Sequence, residues 1–144
     1  MTLPSEKQQT PVRILQFIVL CVGVHSAALG TIIYFFTDNF YTFLLGTSIA
    51  DIFFVRQAGI FLFLSGLFYL FPLKDIHSYH QLILLTILSK ILAVIFLTTN
   101  AHLTPSPPMI LLTAASDGSM AIALSIPYFL CLKRDLLGQR YDIR

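Results

Sequence analysis

The chain has 144 residues, of which 56% are hydrophobic and 11% are charged, and its mean hydropathy is +0.81. A soluble domain of this size cannot bury so much apolar surface, so the composition predicts an integral membrane protein. The net charge of +2, without a basic run interleaved with aromatic residues, gives no reason to expect a nucleic-acid partner. The two cysteines form no CxxC motif. Redox and structural zinc sites therefore lack their ligands, and no cofactor is expected.

The apolar residues fall into four stretches, and about 20 such residues are enough for a helix to cross a bilayer. The predicted spans are residues 12–36, 49–72, 79–100 and 107–132, with short tails at residues 1–11 and 133–144. Prolines mark several span edges, because proline cannot continue a helix: Pro11, Pro72, Pro105 and Pro108. The sequence therefore predicts an all-α fold, a single membrane domain built as a bundle of four transmembrane helices.

The segment between the first two spans, residues 37–46, has a character of its own. It is too short to cross a membrane, yet its apolar side chains, among them Phe40, Phe43 and Leu44, are too numerous for a free loop. This combination is typical of a helix that lies in the membrane interface. We therefore expect a short interfacial helix between spans one and two.

Basic residues outside the spans predict the orientation. Lys74 lies between the second and third spans, and further basic residues flank the first span and follow the fourth, whereas residues 37–48 and 101–106 carry none. By the positive-inside rule, both termini and the middle loop are cytoplasmic. The basic N-terminus and the apolar run after it also occur in signal peptides, but the run continues to Phe36, which favours a retained span. A multi-pass protein of the cell membrane is predicted.

Each span carries one ionisable residue in its interior, and these residues are the main functional candidates. They are His25, Arg56, Lys90 and Asp117. At 1.5 Å of helical rise per residue, all four are expected within a layer less than about 10 Å thick, at the middle of the membrane or just outward of it. A charge in contact with lipid costs at least about 2.5–3.5 kcal/mol. We therefore expect these side chains to face the bundle interior and to pair.

Asp117 is the one acidic member of this group. The simplest interpretation makes it a structural counter-ion of Arg56 or Lys90, and the alternative gives it a role in binding a ligand or handling protons. If Asp117 neutralises one cation, the other needs an anionic guest, a backbone carbonyl or the loss of its proton. Arg56 suits an anionic guest better than Lys90, because a guanidinium can bind an oxyanion through two hydrogen bonds.

The remaining polar residues give weaker signals. His25, alone on an apolar helix, is more typical of a hydrogen-bonded core residue than of a proton relay or ligand contact. Small residues surround Asp117, Ser119 among them, which indicates either close packing or room for a ligand. The loop histidines His77 and His80 lack the further ligands that a metal needs, so no metal site is predicted.

Two pairs of glycines are each seven residues apart, Gly23 with Gly30 in the first span and Gly59 with Gly66 in the second. Seven residues are nearly two helical turns, so both members of a pair lie on one face of their helix. A face of small residues allows another helix to approach closely. We interpret these glycines as packing positions.

Several of these residues together resemble a known group of proteins. The second span reads Arg-Gln-x-Gly from Arg56 to Gly59 and continues through apolar residues to Ser-Gly-Leu and an aromatic residue; a lone Lys90 and then Asp117 follow on the next two spans. This pattern resembles the DoxX-like small four-helix membrane proteins of bacteria. The resemblance implies a multi-pass protein of the bacterial cytoplasmic membrane, and some members act as accessories or subunits of membrane oxidoreductases. It carries over no catalytic motif.

Four classes of function stay open. The leading hypothesis is a membrane protein with a polar intramembrane pocket that binds a lipophilic or anionic amphiphile, or that acts as an accessory subunit. The alternatives are a dimeric proton-coupled transporter, an enzyme acting on a lipid or isoprenoid, and a purely structural subunit. The candidates for ligand binding or proton handling are His25, Arg56, Gln57, Lys90, Asp117 and Ser119. The expected partners are a membrane lipid or lipophilic ligand, and a protein partner or second copy.

Overall fold

The computed structural model describes residues 6–46, 52–103 and 108–141, and over these ranges the regular structure is helical throughout. Its elements are α1 (Glu6–Phe35), α2 (Thr37–Leu45), α3 (Phe53–Leu70) with a 3-10 turn at Phe71–Leu73, α4 (His80–Leu103) and α5 (Pro108–Tyr141). The predicted all-α bundle is confirmed, and so is the short helix between the first two spans, which is α2. The predicted start of the second span, residues 49–51, lies outside the described residues.

Four of these helices are long and apolar enough to cross a membrane. The segments are Pro11–Phe35, Phe53–Leu73, His80–Leu103 and Pro108–Cys131. The chain is therefore a small multi-pass helical membrane protein. Both predicted tails continue the helices next to them: α1 begins at Glu6, with Pro11 inside it, and α5 runs on to Tyr141. Hydropathy indicates where a helix can cross a membrane, and it does not indicate where helical hydrogen bonding stops.

The helices pack as two antiparallel pairs. α1 lies along α3 and α4 lies along α5, and the pairs meet mainly where α1 contacts α5. α3 also makes a smaller contact with α4. We call the end where α1 begins and α5 finishes the terminal end, and the opposite end, where α2 lies, the α2 end.

Glycines bring α1 and α3 into backbone contact. A Cβ built on Gly30 would overlap the backbone nitrogen of Phe63, and one built on Gly66 would overlap that of Ala27. A Cβ on Gly59 would lie 3.0 Å from the carbonyl oxygen of Gly30, which is closer than real Cβ atoms normally approach. These contacts confirm the packing role predicted from the seven-residue spacing, because any residue larger than glycine would collide with the facing backbone.

The hydrophobic core occupies the half of the bundle nearer the terminal end. Its buried members are Leu15, Val19, Val22, Ile76, Ile83, Ile87, Leu124, Tyr128 and Cys131. Toward the α2 end, interior positions such as Val94 and Leu97 on α4 and Thr113 on α5 are only half-buried. The apolar core shared by the two helix pairs is therefore concentrated toward the terminal end.

Candidate functional site

Lys90 and Asp117 form an ion pair inside the bundle. The Lys90 Nζ donates a hydrogen bond to Oδ1 of Asp117 over 2.6 Å. Lys90 lies one turn after Thr86 and Ile87 on the buried face of α4, which is why only 7% of its side chain is exposed, against 17% for Asp117. Both residues are within about 4 Å of the middle of their spans by helical rise. The two charges therefore neutralise each other away from lipid.

This pair decides between the two counter-ions considered for Asp117. Among the described residues, the partner of Asp117 is Lys90 and not Arg56. A charge-assisted hydrogen bond in a poorly solvated environment is strong, and losing one partner leaves the other as an uncompensated buried charge. The arrangement holds α4 and α5 together, and it also places a proton donor and a proton acceptor in direct contact at mid-span.

Ser26 has a buried hydroxyl group with no hydrogen-bond partner among the described residues. It is fully buried, one turn beyond Val22 on the core face of α1. Serines in apolar helices commonly donate to the carbonyl four residues earlier, as Ser125 does to Ala121 over 2.7 Å. An unpaired buried hydroxyl costs about 1–3 kcal/mol. Sequence reasoning missed Ser26, because a serine between small residues carries no signal of its burial.

Arg56 lies apart from the ion pair. Because α3 begins at Phe53, Arg56 ends the first turn, about 10 Å from the middle of its span and closer to the α2 end than predicted. Its side chain is exposed, and its Nε donates a long hydrogen bond of 3.4 Å to Oγ1 of Thr37. Thr37 is buried and donates in turn to the carbonyl of Ile33 over 2.7 Å. The first turn of α3 is thus held against the junction of α1 and α2.

The charge of Arg56 has no counter-ion among the described residues. The hydrogen bond to Thr37 is its polar contact there, and no carboxylate in the described ranges comes within ion-pair distance. A guanidinium carries several N–H donors in a planar fork, so the bond to Thr37 leaves most of them available. Sequence reasoning selected Arg56 but missed Thr37, because a threonine at a helix junction has no charge or motif to mark it.

The other three candidates are exposed on the outside of the bundle. They are His25, Gln57 and Ser119. Ser119 is satisfied by its own helix, since its hydroxyl donates to the carbonyl of Ser116 over 2.7 Å. The side chains of His25 and Gln57 form no hydrogen bond with another described residue. The expectation that the ionisable side chains face the interior is therefore correct for the ion pair and wrong for His25 and Arg56.

A polar contact that sequence reasoning missed joins α3 to α4. The hydroxyl groups of Tyr69 and Ser89 lie 2.6 Å apart. Ser89 also donates to the carbonyl of Thr86 over 2.8 Å, which uses its one hydroxyl proton, so Tyr69 is the donor to Ser89. A lone tyrosine among the phenylalanines of the second span was the available signal for this contact.

The loop before α4 is organised by Asp75. Its carboxylate accepts hydrogen bonds from the Ser78 hydroxyl over 2.5 Å and from the backbone N–H groups of His77 and Ser78 over 2.9 and 3.2 Å. These bonds, the Ser78 hydroxyl first, hold the pKa of Asp75 below its ordinary value of 3.8. The Asp75 carboxylate therefore stabilises the turn. Within the described ranges, no three metal-ligating side chains come together.

Comparisons of the chain with models of protein families, with curated proteins and with solved structures return no match. The resemblance to the DoxX-like group therefore rests on the residues quoted for it and stays a prediction. What bears on function is the set of polar residues in the spans, above all Arg56, which no carboxylate in the described ranges neutralises.

Proposed function

We propose that the protein binds an anionic amphiphile through Arg56. The observation that carries this proposal is the charge balance of the described spans, in which Asp117 is taken up by Lys90 and Arg56 is left without a carboxylate. An uncompensated guanidinium inside the apolar part of a membrane is costly. The phosphate or carboxylate of an amphiphile is the anion that a membrane supplies at that position.

The position of Arg56 suits a lipid head group. The hydrocarbon layer extends about 15 Å from the middle of a bilayer, so a guanidinium about 10 Å from the middle can reach the interface along its flexible stem. The long bond to Thr37 uses only Nε. The two terminal nitrogens of the guanidinium stay available to donate to two oxygens of one oxyanion.

The surface next to Arg56 suits an acyl or isoprenoid chain. Ile60, Phe63 and Leu67 follow on the same helical face at the spacing of one, two and three turns. They are 44%, 38% and 41% exposed, so each presents apolar surface outside the bundle. The ligand class is the one predicted from the sequence. Its head group, however, would bind at the surface of α3 and not in an interior pocket. With both termini cytoplasmic, as the basic residues favour, the head group belongs to the outer leaflet.

Native mass spectrometry in a mild detergent, followed by lipid extraction, tests the proposal. We expect the wild-type protein to retain an anionic lipid and Arg56→Ala to lose it, with an affinity for added phosphatidylglycerol or fatty acid about 10- to 100-fold weaker, because a hydrogen bond to a charged group contributes about 1.5–3 kcal/mol. Lys74→Ala is the matched control, since Lys74 is an exposed basic residue outside the spans and beyond the far end of α3. Retention of the same lipid by Arg56→Ala would contradict the proposal.

The ion pair favours a second candidate, proton handling. Ionisable residues inside transmembrane helices often mark proton pathways, and Lys90 and Asp117 are in direct contact at mid-span. Asp117 keeps 17% of its side chain exposed, so the protein does not enclose it completely. If this candidate is right, Asp117→Asn abolishes proton flux into vesicles while the protein stays folded. The enzymatic alternative is not proposed, because Asp117 is held by Lys90 and His25 is exposed away from the interior.

A further inference from the structure

The face of α3 opposite to α1 carries a regular stripe of exposed residues. The stripe, called here the α3 seam, consists of Phe54, Gln57, Phe61, Leu64, Phe68 and Phe71. Its members are alternately three and four residues apart, which is the 3.5-residue period of helices that pack side by side. Gly59 and Gly66 have the same seven-residue spacing on the opposite face, where they contact α1. α3 thus has two faces with a seven-residue repeat, and the described residues cover the glycine face and leave the α3 seam exposed.

Gln57 is the polar member of the α3 seam. It lies about 9 Å from the middle of its span, which is inside the hydrocarbon layer of a bilayer. Its amide can donate two hydrogen bonds and accept two, and it makes none with the described residues. An amide left unpaired in hydrocarbon costs several kcal/mol, so its position calls for a polar partner beyond the described residues.

We propose that α3 packs against α3 of a second copy of this chain, with Gln57 bonded to Gln57 of that copy. Two copies in one membrane have the same orientation, so their α3 helices run parallel. A two-fold axis along the membrane normal then places each seam residue opposite its own counterpart. An amide is self-complementary because it carries both donors and an acceptor, and such side chains hold transmembrane helices together. The phenylalanines fill the seam on both sides of this bond.

The inference does not depend on the lipid proposal. Successive residues are about 100° apart around a helix, so Arg56 lies well to one side of the α3 seam. Its neighbours Ile60 and Phe63 are outside the seam as well. A dimer formed through the α3 seam therefore leaves both Arg56 side chains accessible, and loss of lipid binding would leave the dimer unaffected.

Disulfide crosslinking in membranes tests the inference on a background of Cys21→Ala and Cys131→Ala. Leu64 lies on the α3 seam and Leu67 beside it, and both are 41% exposed, so they form a matched pair. We expect Leu64→Cys to form a dimer crosslink at least several-fold faster than Leu67→Cys. Equal rates, or no crosslink at Leu64→Cys in a protein that elutes as a single folded species, would overturn the inference.

Dimerisation measured by energy transfer between labelled copies in lipid vesicles gives an independent readout that leaves both cysteines in place. We expect Gln57→Leu to weaken dimerisation about 5- to 30-fold, which corresponds to the contribution of an interhelical amide bond in a membrane. Ser119→Ala is the control, because Ser119 is also exposed at mid-span but is bonded to its own helix. If the Gln57→Leu protein dimerises as strongly as the wild type, the proposed hydrogen bond between the two Gln57 side chains is wrong.

Discussion

The amine of Lys90 lies 2.6 Å from a carboxylate oxygen of Asp117, and this bond joins α4 to α5 at mid-span. Breaking such a pair from one side costs about 3–5 kcal/mol, because it leaves a buried charge uncompensated. We therefore expect Asp117→Asn and Lys90→Met each to lower the free energy of unfolding by about that amount. Thermal or denaturant unfolding of the purified protein in detergent measures the effect.

The double variant Lys90→Met with Asp117→Leu is the control for this prediction. Replacing both charges by apolar residues of similar volume is often neutral, so the double variant should recover most of the stability lost by either single variant. If both single variants unfold like the wild type, the pair does not stabilise the bundle. A proton-handling role would then gain weight.

Alanine substitutions at two glycines should have opposite effects, because Gly30 lies in the contact between α1 and α3 and Gly118 lies outside it. A Cβ at Gly30 meets the backbone of Phe63, so Gly30→Ala must push the helices apart and should cost about 1–3 kcal/mol or more. At Gly118 the nearest atom to a new Cβ is Cγ2 of Val94 at 3.6 Å, an ordinary contact. Alanine favours helix by about 1 kcal/mol over glycine. Gly118→Ala should therefore be neutral or stabilising, and equal effects at the two sites in unfolding measurements would contradict the packing model.

The bond from Tyr69 to Ser89 predicts a measurable coupling between α3 and α4. Tyr69→Phe and Ser89→Ala should each cost about 0.5–1.5 kcal/mol, and the double variant should cost little more than either one. Unfolding of the four proteins in this cycle gives the coupling energy. Tyr34→Phe serves as control, because Tyr34 is exposed and its hydroxyl group makes no hydrogen bond with another described residue. Strict additivity of the two substitutions would show that the bond is absent in the membrane.

The turn at Asp75 predicts a pH dependence of local structure. Hydrogen bonds from Ser78 and His77 lower the pKa of Asp75 below 3.8, so the ionised form is favoured in the folded turn. The stabilisation is therefore complete above the ordinary pKa and is lost as the pH falls through the lowered value. Amide hydrogen exchange at His77 and Ser78 should show protection at about pH 6 that disappears in acid. Ser78→Ala should raise the pKa of Asp75 toward its ordinary value, and an unchanged titration of Asp75 by NMR would contradict this.

The helices and the glycine contact were predictable because both depend on patterns within one helix. Span length follows from bilayer thickness, and seven-residue spacing follows from helical pitch, whatever the neighbouring helix is. Gly30 and Gly66 could therefore be assigned to a packing face before their partners were known. The partner of Asp117 could not be assigned in this way. It depends on how the helices pair in the bundle, because α5 lies along α4 whereas α3 lies mainly along α1.

The depth of Arg56 was mispredicted for a related reason. The span prediction began at residue 49, whereas α3 begins at Phe53, so the helix centre moves away from Arg56 by a few residues. His25 was mispredicted because the rotation of α1 is set by its glycines and by Leu15, Val19 and Val22, which turn the imidazole outward. A single polar residue on an apolar helix does not reveal which way it faces.

The glycine contact also has a mechanical consequence. Two backbones in direct contact cannot slide or tilt without collision, so α1 and α3 move as one stiff body. The ion pair similarly fastens α4 to α5. The freedom that is left is the angle between the two pairs. Because their shared core lies toward the terminal end, we expect any change in this angle to displace the α2 end most, where Arg56 meets Thr37.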